Sequence, residues 1–197
     1  MIAFGVFAKP GHGTRQWLMA LLCASFMAGC ANGPDSGQDS AGRADLVTDS
    51  DETSARKRAR IRVELAMGYL EQGKTNIALD EVKLALVADP EFADAYSLRG
   101  LIYMRLNELP LAQDSFLKAL AVRPRDPNIL HNLGWLKCQQ ARYPEALADF
   151  SLALANPGYG ERAKTYMAQG LCQIRAGQRP AAEQSLLKAY EFDALNP

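Results

Sequence analysis

Between Ala59 and the C-terminus, small residues return at Ala78, Ala112, Ala146 and Ala182, in steps of 34, 34 and 36. A second small row, Ala85, Ala119, Ala153 and Ala189, keeps the same steps, and bulky Val82, Phe116, Phe150 and Leu186 fall between the two. Upstream in each period stands Ala66, Gly100, Gly134 or Gly170. A fixed period of this length points to a repeat array before any local reading. Gly73, Asn107, Ala141 and Gly177 fall at a bend within each period. Asp89-Pro90 and Arg123-Pro124 end helices, because Pro disfavours helical backbone in the residue before it. The pattern predicts an all-α array of about four helix-turn-helix units, at about 59–92, 93–126, 127–160 and 163–196, within a domain covering 56–197.

These rows resemble the tetratricopeptide repeat, a unit of two antiparallel helices whose copies stack into a right-handed superhelix. The packing reason is that Gly or Ala lets one helix approach its partner closely while a bulky side chain fills the space opposite. Tyr69 and Tyr103 hold the aromatic place of the first two units; Lys137 and Gln173 replace it in the third and fourth. Two extra residues around Asn156-Pro157-Gly158-Tyr159-Gly160 are expected to bend the superhelix locally. No polar capping helix follows the last unit. Repeat arrays need solvated ends, so either the end face is covered or the array is a shortened one.

The N-terminus has a different character. Lys9 and Arg15 precede the apolar run Trp17 to Phe26, and Met27-Ala28-Gly29-Cys30 closes it. Basic, apolar and small segments in that order read as a secretory signal over residues 1–29, with an apolar centre too short to remain in a bilayer. Its last four residues resemble the lipobox of bacterial lipoproteins, which implies acylation of Cys30 and, with Ala31 following, sorting to the periplasmic face of the outer membrane. The alternative is an ordinary signal that happens to end in Cys. Residues 30–55 are rich in Gly, Ser and Asp, with Leu46 and Val47 the sizeable apolar residues. Such a stretch cannot bury enough surface to offset its ordering entropy and reads as a flexible acidic linker.

Charge and composition narrow the chemistry. The chain carries 22 Lys plus Arg against 22 Asp plus Glu, so no basic footprint for nucleic acid emerges. The basic run Arg56-Lys57-Arg58, with Arg60 and Arg62, reads as a solvated helix face. No metal-type Cys and His spacing, phosphate loop or Ser-centred elbow is present, so no catalytic residue, metal, cofactor or small-molecule substrate is expected. His131 is expected near the inner face of the third unit, as a partner contact or as a half-buried polar residue. Cys138 and Cys172 lie on first helices of adjacent units. In an oxidising compartment they form either a disulfide or two small buried thiols.

Stepping along the inner face of the first helices gives Met67, Leu101, Trp135 and Leu171, then Leu70, Met104, Cys138 and Ile174 one turn on. An apolar row with Met and Trp suggests a groove for an amphipathic or extended apolar segment. The alternative is that superhelical curvature buries these side chains. The basic carboxylate clamp that some tetratricopeptide domains use is absent from this row.

The lipobox, the acidic linker, the repeats, Glu64-Leu65-Ala66-Met67-Gly68-Tyr69-Leu70-Glu71-Gln72-Gly73, Asn156-Pro157-Gly158-Tyr159 and Gly170-Leu171-Cys172 together are similar to the PilF/PilW family of type IV pilus biogenesis lipoproteins. That resemblance implies a non-enzymatic pilotin, anchored to the membrane through its N-terminal lipid. It would bind the pilus secretin and promote its localisation and multimerisation. It also implies that this array is shorter than those of its relatives. The other class of reading is a scaffold lipoprotein that organises cell-wall enzymes or other envelope assembly.

Overall fold

The structure, a computed structural model, describes residues 52–194. The expected signal, Cys30 and the linker up to residue 51 lie outside the described residues. Eight α-helices and no strand occur among those described. They pair in chain order as α1 (Ser54–Glu71) with α2 (Thr75–Ala88) and α3 (Ala93–Arg105) with α4 (Leu109–Val122). The third pair is α5 (Pro127–Gln139) with α6 (Tyr143–Leu154), and the fourth is α7 (Arg162–Arg175) with α8 (Arg179–Ala194).

Local chemistry explains where the helices start and stop. Thr53 caps α1 by accepting the Arg56 N–H at 3.1 Å, and Glu52 pairs with Arg60 one turn on. The helix therefore begins within the last residues assigned to the linker. Pro110, Pro127 and Pro144 stand in the first turns of α4, α5 and α6, where a missing N–H costs nothing. Asp126 caps α5 through two backbone N–H groups.

Each bend within a pair is built the same way. The second residue past the helix takes positive φ: 75° at Gly73, 59° at Asn107, 59° at Ala141 and 76° at Gly177. The next N–H then reaches back five residues, from Lys74 to Tyr69, Glu108 to Tyr103, Arg142 to Lys137 and Gln178 to Gln173, at 2.8–2.9 Å. This is the Schellman closure, which satisfies carbonyls left open at the helix end. Ala141 holds a left-handed conformation that its Cβ disfavours.

Within each pair the small and bulky rows meet. A Cβ placed on Gly100 would stand 2.5 Å from the Phe116 ring, one on Gly134 2.9 Å from Phe150, and one on Gly170 2.8 Å from Leu186. In the first pair the partners are Ala66 and the smaller Val82, both fully buried. Successive pairs stack with α2 on α3, α4 on α5 and α6 on α7. The first helices also touch one another, α1 with α3, α3 with α5 and α5 with α7, whereas among the described residues no two second helices do. The first helices thus line the inside of the curvature.

The two extra residues fold as a turn without breaking the stack. Asn156 Oδ1 accepts the Gly158 N–H, Tyr159 is buried against Leu130 and Ala153, and Arg162 donates to the carbonyls of Leu154 and Asn156.

Two substitutions test these constraints. Gly100→Ala is expected to lower unfolding free energy by about 1–3 kcal/mol through overpacking. Adding Phe116→Val, which copies the Ala66 and Val82 arrangement, should recover part of that loss in a denaturant double-mutant cycle. Ala141→Gly should raise stability by about 1 kcal/mol, read as an increase in melting temperature of a few degrees.

Candidate functional site

Of the eight side chains in the inner row, Cys138 is buried in the seam, and the other seven, those expected to line an apolar groove, divide into two groups. Met67, Leu171 and Ile174 are exposed. Leu70 and Leu101 pack on the first hydrophobic cluster, Leu101 and Met104 on the second, and Trp135 on the third. These four are partly buried in the seams between units while still lying along the inner face. The reason is the direct contact of first helices: each lays its successor over the same stripe.

Each seam is crossed by polar contacts of its own. Arg105 of the second unit donates to the Leu70 carbonyl of the first at 2.6 Å. Asn132 reaches Ser97 at 3.4 Å, and Arg142 donates to Gln113 Oε1 at 2.8 Å. Between the third and fourth units the Arg175 guanidinium lies 5.1 Å above the Trp135 ring. A cation over an indole face in this position gives the inner surface a polar component that the apolar row did not suggest.

Cys138 and Cys172 form a disulfide between α5 and α7, with Cα atoms 5.8 Å apart. Beside it lies a buried polar network. Thr165 Oγ1 stands 2.8 Å from His131 Nδ1 and 2.8 Å from the Tyr159 hydroxyl. Burial, assisted by the charge of Lys164, pushes the His131 pKa down to about 4. The imidazole is therefore neutral near pH 7, and the protons balance if Tyr159 donates to Thr165 and Thr165 donates to Nδ1. His131 is 7% exposed, so it works in the seam and is not open to a partner.

The departures at the aromatic place are compensated in pairs. Lys137 meets Asp149 of α6 at 2.6 Å, and Gln173 accepts a hydrogen bond from Ser185 of α8 at 2.8 Å. Burial raises the Asp149 pKa, and the Lys137 hydrogen bond opposes that rise. Three of the five basic residues at the start of α1 pair with carboxylates. Arg56 pairs with Asp89 and lies over Phe92, Arg60 pairs with Glu52 and Glu64, and Arg62 with Glu81.

Among the described residues no group of three or more His, Cys, Asp or Glu side chains is arranged to hold a metal, and no helix is long and apolar enough to cross a membrane. The arrangement offers a binding surface, the inner face of the first helices, on which Met67, Leu171 and Ile174 stand exposed.

Comparison with known proteins follows this architecture. Two family models described as tetratricopeptide repeat match residues 63–128 and 115–148. The chain is 27% identical over 184 residues to the type IV pilus assembly protein PilF of Pseudomonas aeruginosa, covering 93% of this chain and 69% of that protein. The structure of P. aeruginosa PilF superposes with a TM-score of 0.69 at 27% identity, over 72% of this chain and 64% of that one. The structure of PilW, a type IV pilus biogenesis factor, gives 0.64 at 32% identity, over 66% of this chain and 60% of that one. The chain thus spans less than two thirds of either solved pilus factor. MamA, at 23% identity and a TM-score of 0.58, shares the fold alone.

The His131 network sets a pH dependence. Its folded pKa of about 4 lies below the unfolded value of 6.5, so the unfolded chain binds the extra proton between them. Stability is fully present above pH 6.5 and is lost as pH falls towards 4, by about 3 kcal/mol at the lower limit. Asp149 contributes with opposite sign. The difference between denaturation profiles of the wild type and His131→Gln isolates the histidine part, and that difference should shrink between pH 6.5 and 4.

Proposed function

We propose that this chain, whose helical body is a tetratricopeptide-repeat domain, is a non-enzymatic factor of type IV pilus biogenesis. In this reading Cys30 carries the lipid that holds it at the periplasmic face of the outer membrane. The linker then sets the repeat domain off the surface, and the domain captures the pilus secretin and promotes its assembly into a ring. The single observation that carries the reading is the extent of the similarity to the P. aeruginosa pilus assembly protein. At 184 residues the alignment is longer than the repeat body and must run on into the N-terminal segment that precedes it. A shared repeat fold alone would have ended with the helices.

The mechanism is binding energy combined with location. Holding the domain on the membrane converts capture of an incoming subunit into a local event and raises its effective concentration there. The inner face supplies Met67, partly buried Met104 and the Trp135 ring under Arg175. Met and Trp adapt to an apolar segment, and Arg175 offers charge to an acidic residue beside it.

Deleting the gene should abolish surface pili and the heat-stable secretin multimers seen on denaturing gels; a deletion strain with intact multimers would overturn the reading. Cys30→Ala should move the protein from the membrane fraction to the soluble periplasm. Pull-downs with both forms should recover the secretin. Recovery with neither would end the assignment.

A further inference from the structure

The three seams between units use the same places with different chemistry. Repeat spacing puts Leu70 and Ile102 of the first seam, then Met104 and Leu136 of the second, at the places that Cys138 and Cys172 hold in the third. Each pair lies within one hydrophobic cluster, but only the third pair is covalent. The helices that enter the seams differ in the same way. α3 buries Leu98 and Ile102, and α5 buries Ile129, Leu133 and Leu136. α7 buries the side chains of Thr165, Ala168, Cys172 and Gln173, and Gln173 is turned to Ser185 of its own pair. The larger apolar side chains of α7, Met167, Leu171 and Ile174, are exposed. Phe150, Leu147 and Tyr143 of the third unit are therefore met across the seam by a methyl group and a sulfur. Burial stabilises in proportion to the apolar area removed from water, so the third seam gains less from packing than the two before it.

We propose that the disulfide is what holds the fourth unit on the stack, as a redox-controlled joint. With Cys138 and Cys172 oxidised, α7 and α8 dock on the third unit; with both reduced, the fourth unit opens while the first three stay folded. In a repeat array each unit is held by its own fold and by the interface with its neighbour. The crosslink removes freedom from the open form. Without it the seam rests on Ala168, the Thr165 hydroxyl and Arg175 over Trp135. Closing the joint is a thiol–disulfide exchange. The thiolate of one cysteine attacks an external disulfide such as oxidised glutathione, forming a mixed disulfide and releasing one thiol, and the second cysteine thiolate displaces the other half. Two electrons pass to the external disulfide, and its two thiols take up the two protons the cysteines give up. Trp135 belongs to the third unit and Arg175 to the fourth, so the inner face runs across all four units only in the oxidised form. The proposal stands apart from the pilus reading, because it concerns the purified chain in a thiol buffer.

The test is amide hydrogen exchange read by mass spectrometry on the purified chain, oxidised with glutathione disulfide or held in dithiothreitol under native conditions. An undocked unit cannot bury its apolar face, so its protection falls with docking. Reduction is expected to speed exchange in α7 and α8 at least tenfold and to change α1 to α4 by less than twofold. Cys138→Met with Cys172→Leu copies the second seam and keeps the remaining cysteines. It should retain slow exchange in α7 and α8 with and without reductant. Unchanged protection of α7 and α8 on reduction, an equal acceleration in α1 to α4, or a reductant effect in the Met and Leu variant as large as in the wild type would each overturn the proposal.

Discussion

The close approach of the two helices in each unit is the constraint on which everything else depends. At Gly100, Gly134 and Gly170 there is no room for a methyl group, because the Phe116, Phe150 or Leu186 side chain occupies it. Interiors pack at crystal-like density, so this fit fixes both the distance and the rotation of the pair. Once the pair is fixed, the faces it offers to its neighbours are fixed as well. The first unit reaches the same end with a different partition of volume, Ala66 against Val82, and remains fully buried there.

Stacking then follows from equivalent faces of successive units meeting one another. The seams combine apolar packing with a few polar ties, and the ties grow denser towards the C-terminal half. There the disulfide, the His131–Thr165–Tyr159 network and Arg175 over Trp135 all cross from the third unit to the fourth. This is the junction where the chain carries two extra residues. Tyr159, which those residues deliver, supplies one end of the network. The irregular turn is thus anchored by polar contacts that a regular seam does not need.

Much of this was legible along the chain. The positions of the bends, Gly73, Asn107, Ala141 and Gly177, stood out because a left-handed residue there is demanded by the helix closure and recurs at a fixed place. Other features were not legible. Lys137 and Gln173 broke the aromatic row, and a linear reading could not show that Asp149 and Ser185, twelve residues on, answer them across the helix pair. The inner row was legible only in part for a related reason. Leu70, Leu101, Met104 and Trp135 have the spacing of a groove, but a stripe facing a groove and a stripe facing a neighbouring helix have the same periodicity.

The sequence by itself determined the repeat, the helix pairs and their bends, because each depends on steric rules that act within about 34 residues and leave Gly, Ala and Pro at fixed places. Only the tertiary structure decided which apolar side chains are seam and which are surface. It also decided that His131 is a buried neutral partner and that Arg56, Arg60 and Arg62 of the basic run pair with nearby carboxylates. Those outcomes depend on how far one unit covers the next. That coverage is a property of stacked surfaces, to which residues from two units contribute at once, and no single unit encodes it.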